Sequence, residues 1–169
     1  MKGETVSDFK TYKNNSMNEI EGEFVPLHDR GISLETAKKY GVKALSRNGE
    51  IVKHYYPYYN ANEISGYKVR EAGKIFSWKG SAQDSGLFGQ QAFQEGGKYI
   101  TLTEGECDAM ATYELMGSRW PSISVKNGAA GAVRDVQKNI EFLEKFDTVV
   151  ICFDNDKPGK EAARKVAKL

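Results

Sequence analysis

Three times between residues 98 and 169 the chain passes from a short β-type run into a stretch with helical spacing. Residues 98–103 read as a strand and 108–116 as a helix stopped by Gly117. Residues 122–125 read as a second strand, followed by a Gly-rich loop over 127–131. The stretch 133–146 then places Val136, Ile140, Leu143 and Phe146 at helical intervals. A strongly apolar strand over 148–153 and a helix over 159–169 close the series. Strands separated by helices cannot pair as tight hairpins. The crossovers lay them parallel, with the helices packed on the sheet. The spacing therefore predicts a parallel α/β layer, entered after Gly96-Gly97.

The part before it has a different grammar. Residues 1–22 are polar, rich in Asn, Lys and Glu, and carry no sustained period, which reads as a lead-in. Ser33 is a helix N-cap with Glu35 in the first turn, and the helix runs through Ala37 and Tyr40 to stop at Gly41. Residues 51–59 are dense in aromatic and β-branched types, and a turn at 60–62 leads into 64–69, which predicts a hairpin or small meander. Gly73, Gly80, Gly86 and Gly89 are expected to break the following stretch into loops. The expected division is a lead-in over 1–22, a small mixed α+β lobe over 23–97, and the α/β domain over 98–169.

Composition narrows the setting. At 40% apolar and 28% charged residues, the chain has the make-up of a soluble globular protein. It has no apolar run near the roughly 20 residues a membrane helix needs, and no signal-peptide core at its start. Only Cys107 and Cys152 are present, so neither a disulfide framework nor a CxxC pair exists, and a reducing, cytoplasmic location is expected. With His28 and His54 the only histidines, a structural zinc site is not expected. Both cysteines read as small buried hydrophobes, and both histidines as structural or surface residues.

Net charge is only +1, but charge is patterned locally. Between Gly66 and Gly80 lie Lys68, Arg70, Lys74 and Lys79 against the single acid Glu71. The acids gather elsewhere, in Thr103-Glu104-Gly105-Glu106-Cys107-Asp108 and in Phe153-Asp154-Asn155-Asp156, each just after a predicted strand. Loops at the carboxyl ends of parallel strands are where ligands collect in such sheets. Gly105 is expected to allow a sharp turn, with Glu104 ending the strand and Asp108 in the first helical turn. Asp154 and Asp156, two residues apart, can face one point. Crowded carboxylates call for a cation, and Mg²⁺ (or Mn²⁺) takes hard oxygen ligands while leaving places for phosphate. Simpler readings stand beside these: Asp156 before Lys157-Pro158 can cap the last helix, and Glu106 and Asp108 can complement a helix dipole. Tyr55, Tyr56, Tyr58 and Tyr59 can stack bases or fill the sheet's packing faces.

The two acidic clusters, with Asn127-Gly128 and the run Asp156-Lys157-Pro158-Gly159-Lys160, resemble the Toprim domain of primases, topoisomerases and some nucleases. Glu104, Asp154 and Asp156 match its Glu and Asp-x-Asp, and Asp108 matches a further acid of the primases. Upstream, His28-Asp29-Arg30-Gly31-Ile32-Ser33, Lys68-Val69-Arg70, Lys74 and Gly86-Leu87-Phe88-Gly89 are similar to the primase half of T7-type phage primase-helicases. The likeness runs over about residues 24–169. It implies a Rossmann-like Toprim sheet and RNA primer synthesis on single-stranded DNA. Glu104, Asp154 and Asp156 would bind metal, Glu104 and Asp108 would serve catalysis, and Lys68, Arg70 and Lys74 would contact nucleotide or DNA. It further implies ribonucleoside triphosphates as substrates, a replicative helicase domain or subunit, and a zinc-binding template-reading domain in the same or another chain. No cysteines for that zinc domain occur, and no GxxxxGK[ST] loop is present. The family's sheet continues past the third helix, so the chain is expected to be a truncated piece. The rival expectations are a nuclease or topoisomerase fragment, and a degenerate DNA-binding module of a helicase.

Overall fold

The first helix forms where its end signals sit. Ser33, in extended backbone, accepts the Thr36 amide on its hydroxyl, and α1 (Leu34–Tyr40) runs until Gly41 turns left-handed at φ 72°. An L side chain is strained there, so the helix stops at glycine. Buried Tyr40 stacks on Phe88 with ring centroids 5.5 Å apart and donates its hydroxyl to the Ser122 carbonyl at 2.6 Å. That bond joins the first lobe to the second sheet. The computed structural model describes residues 20–169, so the lead-in expected over 1–22 lies mostly outside the described residues. Within them, Ile20 packs on Tyr55, Tyr67 and Val69.

An antiparallel meander follows: β1 (Lys43–Arg47), β2 (Glu50–Asn60), β3 (Glu63–Glu71) and β4 (Ile75–Gly80), paired in that order. Of the hairpin and the small meander expected, it is the meander, extended to four strands. Residues 75–80, expected to be loop, form a strand because Gly73 and Gly80 bound the run instead of interrupting it. Within it Ile75, Phe76 and Trp78 have strong strand preference. The tyrosines of β2 serve packing. Tyr56 and Tyr58 enter the core shared with α1 and the helix after β5, while Tyr55 packs with Tyr67 and Val69 on the other face.

The second sheet is parallel, in the order β6-β5-β7, from β5 (Gly97–Thr103), β6 (Ser122–Ser124) and β7 (Phe146–Cys152). Its helices are α2 (Glu106–Leu115), α3 (Gly128–Lys138), α4 (Ile140–Leu143) and α5 (Lys157–Val166). Ile100, Leu102, Ile123 and Val125 meet Ala132 and Val136 of α3 and Ala162 and Val166 of α5 in one core. Two expectations change here. The Gly-rich stretch 127–131 is mostly the first turn of α3 and not a loop. The single helix expected over 133–146 breaks at Asn139, which leaves helical backbone at φ −122° and donates its side-chain amide to the Asp135 carbonyl at 2.8 Å. Side-chain bonds of this kind compete with the helix ladder. Cys152 is exposed on edge strand β7 and not buried as expected.

Candidate functional site

Strand register brings the acids together. Thr103 of β5 lies opposite Cys152 of β7, so Glu104 and Asp154 leave the sheet as neighbours. Glu104 accepts the Asp154 amide on Oε2 at 3.3 Å and the Ala129 amide on Oε1 at 3.2 Å. Its carboxylate thus spans the ends of two strands and the first turn of α3, where the helix dipole favours negative charge. Asp108 sits in the first turn of α2, next to the Gly105 backbone, which favours its charged form. Gly105 has an ordinary φ of −127°, so no special turn requires it. A Cβ there would lie 2.7 Å from Asp108 Oδ2, so a larger residue would push on that carboxylate and not on the backbone. Burial pushes the Asp108 carboxyl up, and the charges of Asp154, Glu106 and Glu104 push it further.

Asp156 is placed differently. Its Oδ1 accepts the Gly159 amide at 2.8 Å and so caps α5. Asp154 lines the cleft in front of the sheet, whereas Asp156 is not among its lining residues.

The facing wall comes from β3 and β4. Lys68 pairs across the strands with Trp78, and Arg70 with Phe76, so all four share one face. Lys68 does not simply project into the cleft. Its ammonium donates to Glu106 Oε1 and to the Lys126 carbonyl, each at 2.8 Å, and Glu106 also accepts the Tyr58 hydroxyl at 2.6 Å. The Lys68 and Glu106 side chains are only 14% and 6% exposed. Arg70 is half-buried with Nη1 3.8 Å from Cys107 Sγ, and exposed Lys74 precedes β4.

Two basic lining residues were missed by sequence reasoning as part of the site. Arg30 was seen only as part of a motif, yet it lines the cleft. Lys126 is buried, which lowers its pKa, and its ammonium donates to the Ser85 and Ala82 carbonyls at 2.7 and 3.1 Å. Nothing in a lone lysine after a strand signals that burial. His54 is structural, as expected, its ring nitrogens bonded to the Tyr56 hydroxyl and Asp29 and its pKa lowered by burial. The Cys107 thiol, pushed up to about 11 by burial, is not a reactive thiolate.

Acids and bases meet in one cleft of about 650 Å³, within the roughly 300–1,000 Å³ of small-molecule sites. Among the described residues, no three His, Cys, Asp or Glu side chains form a group that could hold a metal ion as they stand. The donor chemistry nevertheless fits a hard divalent cation. Glu104, Asp108 and Asp154 offer carboxylate oxygens, and the upward push on Asp108 by its acidic neighbours is a surplus of negative charge that such a cation relieves.

Parallel strands that deliver these acids at their carboxyl ends define a Toprim-like domain, and the family model for Toprim-like domains matches residues 101–169. Over 157 residues the chain is 32% identical to the DNA helicase/primase of Enterobacteria phage T3, covering 91% of this chain and 27% of that protein. The crystal structure of the primase fragment of the bacteriophage T7 primase-helicase superposes with a TM-score of 0.81 at 31% identity, covering 98% of this chain and 69% of that one. The primase domains in a structure of the T7 lagging-strand DNA polymerase with two gp4 subunits, an RNA/DNA hybrid and dTTP give a TM-score of 0.77 at 34% identity, covering 87% and 74%. The chain belongs to the family of phage T7-type primases, and it spans about a quarter of the length of the phage T3 relative. Among the described residues no helix is long and apolar enough to cross a membrane.

Proposed function

We propose that this chain synthesises short RNA primers on single-stranded DNA from ribonucleoside triphosphates by metal-dependent nucleotidyl transfer. One observation carries the reading: a single cleft sets Glu104 and Asp154 at parallel strand ends, and Asp108 in the first turn of α2, against Arg30, Arg70 and Lys74. Phosphates need the basic wall, and the bond to be made needs the acidic one.

Asp154 and Glu104 would hold Mg²⁺ (or Mn²⁺), with Asp156 adding charge from the start of α5 while its Oδ1 serves Gly159. The ion, when bound, supplies polarisation of a phosphate and offsets the charge that builds on it. The chain's own groups do the rest. Glu104, held in a fixed orientation by two backbone amides, either shares the ion with Asp154 or accepts the proton of the attacking 3′-hydroxyl, with Asp108 in support. Arg70 clamps phosphate oxygens, and Lys74 follows them as a mobile point charge. Lys68 adds charge at the base of the cleft and, through Glu106, fixes β3 against α2.

The T7 relative carries an RNA/DNA hybrid, which is the product expected here on the template. The expected partners are a replicative helicase domain or subunit and a zinc-binding template-reading domain, and the expected location is the host-cell cytoplasm. The test incubates the chain, with a zinc-binding domain in trans, with single-stranded DNA, Mg²⁺ and ribonucleotides. New oligoribonucleotides on intact template are expected. Cleavage of the DNA in the absence of nucleotides would overturn the reading in favour of a Toprim nuclease.

A further inference from the structure

The basic wall carries two large aromatic side chains that the proposed reaction has not used. Phe76 and Trp78 lie on edge strand β4, 49% and 39% exposed, and both line the cleft. Exposed aromatics this large, on one face of one strand, are not explained by packing. Their setting is specific. Trp78 is backed by the buried Tyr58 ring, centroids 5.1 Å apart, which supports it from behind. The Lys68 ammonium lies 5.0 Å from the Phe76 centroid. Across the strands Phe76 pairs with Arg70 and Trp78 with Lys68, so ring and cation alternate on one surface.

Rings beside cations, facing carboxylates, fit a ligand that has a flat π-system joined to a polyanion. We infer that Phe76 and Trp78 form the stacking platform for the nucleobase of the bound ribonucleoside triphosphate. Its phosphates lie against Arg70 and Lys74, toward Glu104 and Asp154. Stacking is indifferent to base identity because every base has a π-face. A primer-making site that must accept different nucleotides gains from that indifference. The inference rests on the primase reading for its choice of ligand, but not for its geometry.

Trp78 and Trp120 are the only tryptophans, so a Trp120→Phe background leaves Trp78 as a single reporter. Its fluorescence is titrated with ATP, with CTP, with inorganic tripolyphosphate, and with a short single-stranded oligodeoxynucleotide. ATP and CTP are expected to quench it saturably and tripolyphosphate is not. Phe76→Ala should weaken ATP binding, measured by calorimetry, by roughly tenfold, the scale of one base–aromatic stack. Trp78→Ala should do the same and Trp78→Phe should restore most of the affinity. Circular dichroism checks that the variants fold.

Quenching by the oligodeoxynucleotide and not by ATP overturns the inference in favour of a template-binding surface. Equal quenching by tripolyphosphate, or unchanged ATP affinity in both alanine variants, also overturns it. None of these readouts requires synthesis. If primers form while ATP binding ignores Phe76 and Trp78, the platform fails and the primase reading stands. If base-dependent quenching appears without synthesis, the platform stands and the primase reading fails.

Discussion

The two walls of the cleft reach the same space by opposite strand geometries. The acidic wall comes from a parallel sheet, where each strand ends at the same edge and hands its next residue to a common point. Register and the Asp154 amide bond make Glu104 and Asp154 neighbours, and a second backbone amide holds Glu104 in place. The basic wall comes from the face of an antiparallel edge, where side chains stand in a row along β3 and β4. One wall is fixed by main chain and the other by side-chain packing. The acidic side should therefore tolerate little change in chemistry, while the basic side should respond in stability as much as in function.

The largest expected effect breaks the comparison on the acidic side. Glu104→Gln keeps the shape and one of the two accepted amide bonds, while the other, exposed at Asp154, passes to water, and it removes the proton acceptor. Primer synthesis should fall by about 10²–10⁴-fold with little change in melting temperature. An activity within twofold of the parent would remove Glu104 from the reaction.

On the basic side, Lys68→Met leaves Glu106 buried without its cation. Breaking a buried pair from one side costs about 3–5 kcal/mol, so denaturant unfolding should show a loss of that size. A second change, Glu106→Gln in the same chain, should recover part of it. If Lys68→Met leaves stability unchanged and only weakens nucleotide binding, Lys68 is a phosphate ligand and not a structural link.

A smaller effect sharpens the role of Asp156. Removing a helix cap costs about 1 kcal/mol, and Asn caps as well as Asp. Asp156→Ala should lose that stability and Asp156→Asn should keep it. Comparing their primer synthesis separates cap from charge: if the residue adds charge to the metal site, both variants lose activity, and if it only caps, Asp156→Asn retains it.

Much of the acidic wall is legible in the sequence. A parallel sheet follows from strand–helix alternation, and in such a sheet residues after successive strands must converge, so Glu104 and Asp154 could be paired from position alone. The basic wall was less legible, because antiparallel pairing joins residues far apart in sequence. Lys68 could be marked as a cation, but not that Glu106, 38 residues on, would bury with it. The strand β4 was hidden by its bounding glycines, and with it the exposed Phe76 and Trp78. Tyr55, Tyr56 and Tyr58 drew attention instead, since a run of tyrosines does not say which face of β2 each occupies. Asp156 was hardest of all. The same Asp before Lys-Pro-Gly suits a metal ligand and a helix cap, and only the 2.8 Å bond to Gly159 distinguishes what Oδ1 does.

The account's central claim is that the acids at the parallel strand ends drive ribonucleotide transfer in this cleft. Its most direct test is Mg²⁺-dependent incorporation of labelled ribonucleotides on single-stranded DNA by the parent chain and by Asp154→Ala, each with a zinc-binding domain in trans. The account predicts labelled oligoribonucleotides from the parent and none above background from the folded variant. Undiminished synthesis by Asp154→Ala would contradict it.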